Sequence, residues 1–537
     1  MQLDRYHSWC EPPTTLMMAL HEQIVREQPS ELGVICYETN LHTHGTMVRS
    51  TLRARYETAG AQVTVILGAE QPVLGFGTSL TDAAVLQLHK LDPERVRTLF
   101  YFLFAFCRMQ FVRIPMGSCD FSWRSYSFLP NAPPASSDDE AQWVKANVRF
   151  APEDEARITI LMEIQRHYPH VGVIPTPWSA PPWMKTSHDY VGGSLKPTYF
   201  SLWARALVQY CQLLAARGVR VTALSVQNEP HQLPFLLRQT WETMFFTAEQ
   251  LRDLSVLVAK YGGPPLLLGD DQRVHMPDLA LPSFHALPPE RVWAVGVHGY
   301  QWPGSGAKAT KRLSSKHFAN KPVVVSEFCT GFSRFLSFPL GADRSGTRHA
   351  AQYIRDVIHS LTVGQCAAYI DWNLLLDHEG GPNWAGNNVD SLCWVDDDAR
   401  LHLGYASLLL AHVAMAGDQV KTVHTEEASS SLLAICRTDA RNIYLTLFND
   451  GWWGTQDVSV LVQGRWLADQ LAHRCIKTYI FAKNYFSLCL FNFLVSLSLR
   501  SFSGLFVFDG VSFFVDKTAE NKFCRVPLCT RFQLYKR

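Results

Sequence analysis

Two glutamates in this 537-residue chain stand where short apolar runs end: Glu229 in Val-Gln-Asn-Glu-Pro (226–230) and Glu327 in Val-Val-Ser-Glu-Phe (324–328). Hydrolysis of an acetal needs two such groups. One carboxyl protonates the leaving oxygen, and a carboxylate about 5–5.5 Å away traps the anomeric carbon as an ester. Either glutamate alone would serve as well in a salt bridge or beside a helix cap; the two together, each at the end of a strand, point to catalysis. The Val-Val-Val-Ser run before Glu327 implies a water-poor site, where a carboxylate is costly unless partnered. Other groups at strand ends suit a sugar. Asp120 either accepts hydrogen bonds from ring hydroxyls or caps the Phe-Ser-Trp turn behind it. Trp178, Trp372 and Trp384 offer flat apolar faces to a pyranose. Gln272, His298 and Tyr300 follow the next strands, and Tyr300 either hydrogen-bonds the nucleophile or is merely packed.

These side chains need a scaffold that brings strand ends together. Eight apolar, β-branched runs recur, at 73–77, 111–117, 171–177, 221–227, 265–270, 293–300, 322–328 and 367–373. Helix-like stretches lie between them, among them 94–107, 199–218 and 349–364. Buried strands alternating with helices make parallel βα units, and eight of them close a (β/α)8 TIM barrel whose working residues sit at the C-terminal strand ends. Glu229 and Glu327 then end strands four and seven, facing each other across the mouth. Alternating segments at 61–68, 431–438 and 442–450 read as antiparallel strands. The expected organisation is an irregular segment 1–30, a β-sandwich assembled from 31–72 and 417–481, the barrel at 73–416, and an apolar tail at 482–537. Within the tail, 484–499 carries no charge and falls just short of a membrane span. It fits a marginal anchor, a hydrophobic hairpin or, the preferred reading, sequence outside the folded enzyme, because it lacks periodicity.

Composition narrows the class. Lys+Arg 49 against Asp+Glu 48 leaves a charge of +1, which offers no basic field for nucleic acid. With 47% hydrophobic and 18% charged residues, disorder and long coiled coil are poor fits. The 13 cysteines form no C-x-x-C pair, so most are expected to be buried apolar residues. No secretory signal is recognisable at the start, and no Asn occupies a glycosylation sequon. Gly-Phe-Gly-Thr-Ser-Leu (75–80) lacks the third glycine of a dinucleotide loop, and no G-x-S-x-G, H-E-x-x-H or P-loop occurs. Asp396-Asp397-Asp398 lacks the glycine and terminal glutamate of a calcium loop and reads as a solvated turn.

The segments GFGTSLTDAA (75–84), FVRIPMGSCDFSWRSY (111–126), PTPWSAPPWMKT (175–186), VQNEP (226–230), LLLGDDQR (266–273), VHGY (297–300), VVSEFCTG (324–331) and DWNLLLDHEGGPNWAGNNVDS (371–391) carry a resemblance. Over roughly 31–481 the chain resembles the glucosylceramidases of glycoside hydrolase family 30. That resemblance implies Glu229 as acid/base and Glu327 as nucleophile, with Asn228 contacting the 2-hydroxyl. It implies Asp120, Trp178, Trp372 and Asn387 at the glucose, Arg113 and Tyr300 around the nucleophile, and Gln272, His298 and Cys329 along the same pocket. It further implies glucosylceramide or a related β-glucoside as substrate, peripheral contact with a membrane surface, a possible activator protein, no cofactor or metal, and a lysosomal or secreted location. The 20 histidines would make the protein cationic at acidic pH, suited to an anionic bilayer. The alternatives are another family-30 enzyme acting on a glucan or xylan, or an inactive barrel kept for binding.

Overall fold

The computed structural model describes residues 34–41, 47–50, 61–133, 139–231, 240–300, 305–318, 321–333, 338–339, 347–415, 419–426, 431–451, 453–462, 465–483, 504–508, 511–515 and 524–526. The expectations for 1–30 and 484–499 lie outside the described residues. Eight strands form the barrel: β1 Gly75–Ser79, β2 Phe111–Met116, β3 Gly172–Pro177, β4 Leu224–Ser225, β5 Leu266–Gln272, β6 Val292–His298, β7 Val323–Glu327 and β8 Ala368–Ile370. They hydrogen-bond in parallel in the order β3-β2-β1-β8-β7-β6-β5-β4. A parallel bridge between Val173 and Val221, with Thr222 N donating to Val173 O at 2.8 Å, joins β3 to the approach to β4 and closes the ring. Phe111, Ile174, Leu267, Ala294, Val324, Ala368 and Ile370 fill its interior. Close strand packing leaves no room at Gly77, where a Cβ would lie 2.7 Å from Phe111 O.

All eight runs expected to be strands are strands, but β4 is shorter than the 221–227 run. Its chain leaves the extended form after Ser225 because it is tied to the end of β3: Asn228 N donates to Pro177 O at 2.9 Å, and Gln227 Nε2 to Trp178 O at 2.7 Å. The helix expected at 94–107 also divides. An α-helix, Pro93–Phe100, starts on an Asp92 cap and proline and passes into a π-turn segment, Tyr101–Phe106. There Cys107 N reaches back five residues to Phe102 O at 2.9 Å. The wider turn seats three phenylalanines, with Phe104 against Phe100 of the preceding helix and Phe102 against Phe106.

Strands from both sides of the barrel in sequence share one further sheet. Its order is 48–50, 34–40, 475–482, 442–449, 432–438, 419–426, 61–72, 456–462 and 465–471. Every pairing is antiparallel except that of Ala61–Pro72 with Gln456–Val462. One apolar cluster takes Val34 and Cys36, Leu445 and Leu447, and Val458, Val460 and Leu467, so the two ends of this continuous sheet pack together in the manner of a sandwich. The alternate residues Ile35, Tyr37 and Ile480 face the other way. On the barrel helix Tyr405–Ala414, His412 makes hydrogen bonds of 2.9 Å to Thr39 Oγ1 and 3.0 Å to Thr478 Oγ1, fastening sheet to barrel.

The cysteines whose side chains are described are buried. Asp397 and Asp398 lie exposed in a turn after Val395. The strands Gly504–Phe508, Val511–Val515 and Cys524–Val526 pair in a small antiparallel sheet of their own. Among the described residues no helix is long and apolar enough to cross a membrane.

Candidate active site

The C-terminal ends of the strands and the segments that follow them bring Asp120, Trp178, Asn228, Glu229, Gln272, His298, Tyr300, Glu327, Cys329, Trp372 and Asn387 to one mouth, with Arg113 below them. Glu229 is held at φ +42, a region few non-glycine residues occupy, with its N–H bonded to Asp270 O at 3.0 Å. Its Oε1 accepts from Gln272 Nε2 at 2.7 Å and from His298 Nδ1 at 2.9 Å. Glu327 ends β7. Its Oε2 accepts from Arg113 Nη1 at 2.6 Å and its Oε1 from the Tyr300 hydroxyl at 2.9 Å. Gly299 lets Tyr300 come this close, since a Cβ there would sit 2.6 Å from the Phe328 ring. The Cys329 thiol touches the same hydroxyl at 3.5 Å. Oxygens of the two glutamates lie within 4.8 Å of each other. That spacing is close to the about 5–5.5 Å of a carboxyl pair acting directly on one bond and below the about 6.5–9.5 Å of a pair that works through an intervening water.

A buried charge network supports the pair. Arg113 is completely buried, and its fork spans Glu327, Asn228 Oδ1 at 2.7 Å and Asp270 Oδ2 at 3.0 Å. It lies over the Trp178 ring, 4.7 Å from the centroid. Asp270 also accepts from the hydroxyls of Ser225 and Ser326, both at 2.6 Å. Burial opposes its charge, but Arg113 and His298 beside it hold its carboxyl well below the usual range. Burial opposes the charge on His298 too, yet Glu327, Asp270 and Glu229 push it up to about 10, so the ring is an imidazolium bonded to Asp270 and Glu229. Burial raises Glu327, with His298 and Arg113 pulling the other way. Nδ1 of His298 also lies within 4.8 Å of both glutamate oxygens, a spacing a metal could use. Both ring nitrogens already face carboxylates, Nδ1 that of Glu229 and Nε2 that of Asp270.

Across the mouth, Trp178 and Trp372 stack with centroids 5.2 Å apart, both nearly fully buried. Asn387 Nδ2 donates to Asp120 Oδ2 at 2.7 Å. Asp120 Oδ1, Asn387 Oδ1 and Gln272 Oε1 are buried without a hydrogen-bond partner, an arrangement that a polyhydroxylated ligand would satisfy. Trp384 does not join the stack; its indole is 37% exposed and its N–H points to Glu242, 3.0 Å away. Asp270 and Glu242 carry no role in the sequence reading. Asp270 sat within the quoted Leu-Leu-Leu-Gly-Asp-Asp-Gln-Arg segment and ended a buried run, a signal of the kind that singled out Glu229. Nothing local marked Glu242.

Burial pushes the Asp120 carboxyl up to about 8, with Glu327, Glu242 and Glu229 adding to the effect against the Asn387 hydrogen bond. The folded chain therefore keeps a proton that the unfolded chain sheds near the ordinary carboxylate value of 3.8, so stability is lost as pH rises from there to about 8. Asp120→Asn removes that loss. The variant is expected to melt above wild type at pH 7.5 and to converge with it toward pH 4. Equal melting temperatures at both pH values would contradict the assignment.

Residues 73–410 match the glycosyl hydrolase family 30 TIM-barrel domain. The chain is 29% identical over 409 residues to the lysosomal acid glucosylceramidase of Mus musculus, an overlap covering 70% of this chain and 75% of that one. Among solved structures, SrfJ from Salmonella typhimurium superposes with a TM-score of 0.70 at 22% identity, covering 83% of this chain and 99% of that one. The endo-β1,6-glucanase BT3312 does so with a TM-score of 0.69 at 19% identity, covering 84% and 99%. The two structures share the barrel-and-sheet fold.

Proposed function

The chain belongs to glycosyl hydrolase family 30 and is a glycoside hydrolase, and on that premise we propose that it is a retaining β-glucosidase whose substrate is glucosylceramide. The observation that carries this reading is the carboxyl pair: Glu229 and Glu327 within 4.8 Å, one without a cationic partner except the His298 imidazolium, the other clamped by Arg113 and Tyr300. The ion pair to Arg113 and the Tyr300 hydrogen bond favour the charged form of Glu327 and aim it as a nucleophile. Glu327 attacks the anomeric carbon while Glu229 gives its proton to the glycosidic oxygen. A glucosyl ester forms with inversion and ceramide leaves. Glu229, now ionised, takes a proton from water, which attacks the ester and releases β-glucose with net retention. Charge follows the chemistry: forming the neutral ester removes the negative charge of Glu327 just as Glu229 becomes negative.

Asp120 and Asn387 hold hydroxyls on the far side of the sugar, Asn228 contacts the 2-hydroxyl, and the Trp178–Trp372 stack supports its apolar face. Glucosylceramide is favoured over a glucan by the similarity to the mouse glucosylceramidase over most of both chains. This substrate places the enzyme at a membrane surface, where an activator protein would help present the lipid. The test is to follow hydrolysis by proton NMR in parallel on glucosylceramide micelles, a β-1,6-linked glucan oligosaccharide and a xylan oligosaccharide. Release of β-glucose as the first-formed anomer, from the lipid in preference to the oligosaccharides, is expected. α-Glucose appearing first would refute retention. Preferential cleavage of either oligosaccharide would refute the substrate.

A further inference from the structure

Glu242 is a buried acid that the mechanism does not use. It is wholly inaccessible, its side-chain hydrogen bonds come from neutral donors, and the charge it feels is that of the buried Lys185. Its Oε1 accepts from Ser125 Oγ at 3.0 Å, and both its oxygens face Trp384 Nε1, at 3.2 and 3.0 Å. Burying a carboxylate among neutral donors alone is expensive, and burial raises its pKa.

Its position suggests what it does. Glu242 lies beyond β4, the strand that carries Glu229; Ser125 belongs to the loop after β2, and Trp384 to the segment after β8. Around the barrel, β2 and β8 flank β1, on the side opposite the β4–β6 arc where Gln272 and His298 hold Glu229. Glu242 therefore reaches across the mouth and ties three loops together at the side remote from the acid. Lys185 fixes the neighbouring residue, donating to Thr243 O at 2.7 Å. Trp384 is bound to the sugar-facing group as well, because its backbone N–H donates to Asp120 O at 3.3 Å and its indole N–H also meets Cys119 O at 3.2 Å. Trp241, next to Glu242, packs against the apolar cluster that contains Trp178, Trp372 and Cys329.

Building on the β-glucosidase reading, we infer that Glu242 is a positioning and specificity residue: by holding the Trp384 indole it closes the far end of the sugar pocket and restricts the enzyme to a single terminal glucose. With that wall fixed, a sugar chain extended at O4 or O6 meets the indole. With the indole released, the end opens and the terminal glucose loses its backstop.

Five proteins test this: wild type, Glu242→Ala, Glu242→Gln, Trp384→Phe and the double variant Glu242→Ala with Trp384→Phe, each assayed on an aryl β-glucoside and on aryl β-cellobioside and β-gentiobioside. Glutamine keeps an acceptor for the indole N–H. Wild type should release the aryl group from the glucoside alone. In Glu242→Ala, KM for the glucoside should rise on the order of tenfold with kcat changed less than about threefold, and release of intact disaccharide should appear. Glu242→Gln should resemble wild type. Trp384→Phe, which removes the N–H at a half-exposed position, should reproduce the alanine variant, and the double variant should be no worse than either single one. Unchanged KM and selectivity in both Glu242→Ala and Trp384→Phe, or additive effects in the double variant, would overturn the inference. Should Glu242→Ala not fold, the Trp384→Phe and Glu242→Gln results decide it alone. Failure of the underlying reading looks different: wild type itself would be inert on the glucoside or would already release disaccharide.

Discussion

Glu327→Gln is expected to lose on the order of 10^4-fold or more in turnover on any β-glucoside while remaining folded. The amide is the same size, so the packing of β7 is undisturbed. Yet glutamine cannot form the ester, and it brings an N–H2 where Arg113 Nη1 and the Tyr300 hydroxyl both donate. One of those two donors must turn away. The charge balance shifts as well. Glu327 is the strongest electrostatic support of the His298 imidazolium, so the ring should release its proton at lower pH in the variant, readable by NMR of the ring protons. Mass spectrometry gives the complementary result: a cyclitol epoxide should add to wild type on the peptide holding Glu327 and leave the variant unlabelled. Labelling of another carboxylate, or a variant with near-normal turnover, would remove Glu327 from the role.

Loss of the partner acid should have a smaller effect, and one that depends on the leaving group. Glu229→Gln keeps an oxygen for Gln272 Nε2 and His298 Nδ1, so the local geometry survives without a transferable proton. Glucosylceramide, whose alkoxide leaves poorly, should be cleaved about 10^2–10^4-fold more slowly. An aryl glucoside with an acidic phenol needs no protonation to leave, so its first step should be nearly unimpaired and the ester should accumulate as a burst. In Glu229→Ala, azide should restore turnover on that substrate and yield the β-glucosyl azide, because the anion needs no base and fits the vacated space. An equal loss on both substrates, with no burst and no azide product, would place the acid elsewhere.

The parts of this site legible in the sequence are those that local pattern can carry. Glu229 and Glu327 were visible because each ends a run that has to be a buried strand, and parallel strands in sequence order place ends four and seven on one face. Tyr300 followed from the same logic one strand earlier, and its hydroxyl does reach Glu327. Arg113 lies inside β2, where an isolated cation in an apolar run has no local explanation, so its place near Glu327 came only from resemblance. Asp270 belongs with it, since its four partners come from β2, β4, β6 and β7. Glu242 was the least legible, because what matters about it is a meeting of three loops. The shortness of β4 is of the same kind, set by hydrogen bonds to the end of β3 and not by the residues of its own run. The split of the 94–107 helix turned on ring packing among phenylalanines, which a count of apolar positions does not separate from an ordinary helix.

The shared sheet has a consequence for how the molecule is made. The ribosome produces Val34–Asn40 before any of the barrel, and its hydrogen-bonding neighbour, Cys475–Ala482, after all of it. Throughout synthesis of the barrel the early strands wait with open edges, and an open apolar strand invites the wrong neighbour. Such distant pairing also folds slowly. The nascent chain is thus vulnerable for as long as elongation lasts, and its yield in a cell should depend on what shields those first strands until the last ones emerge.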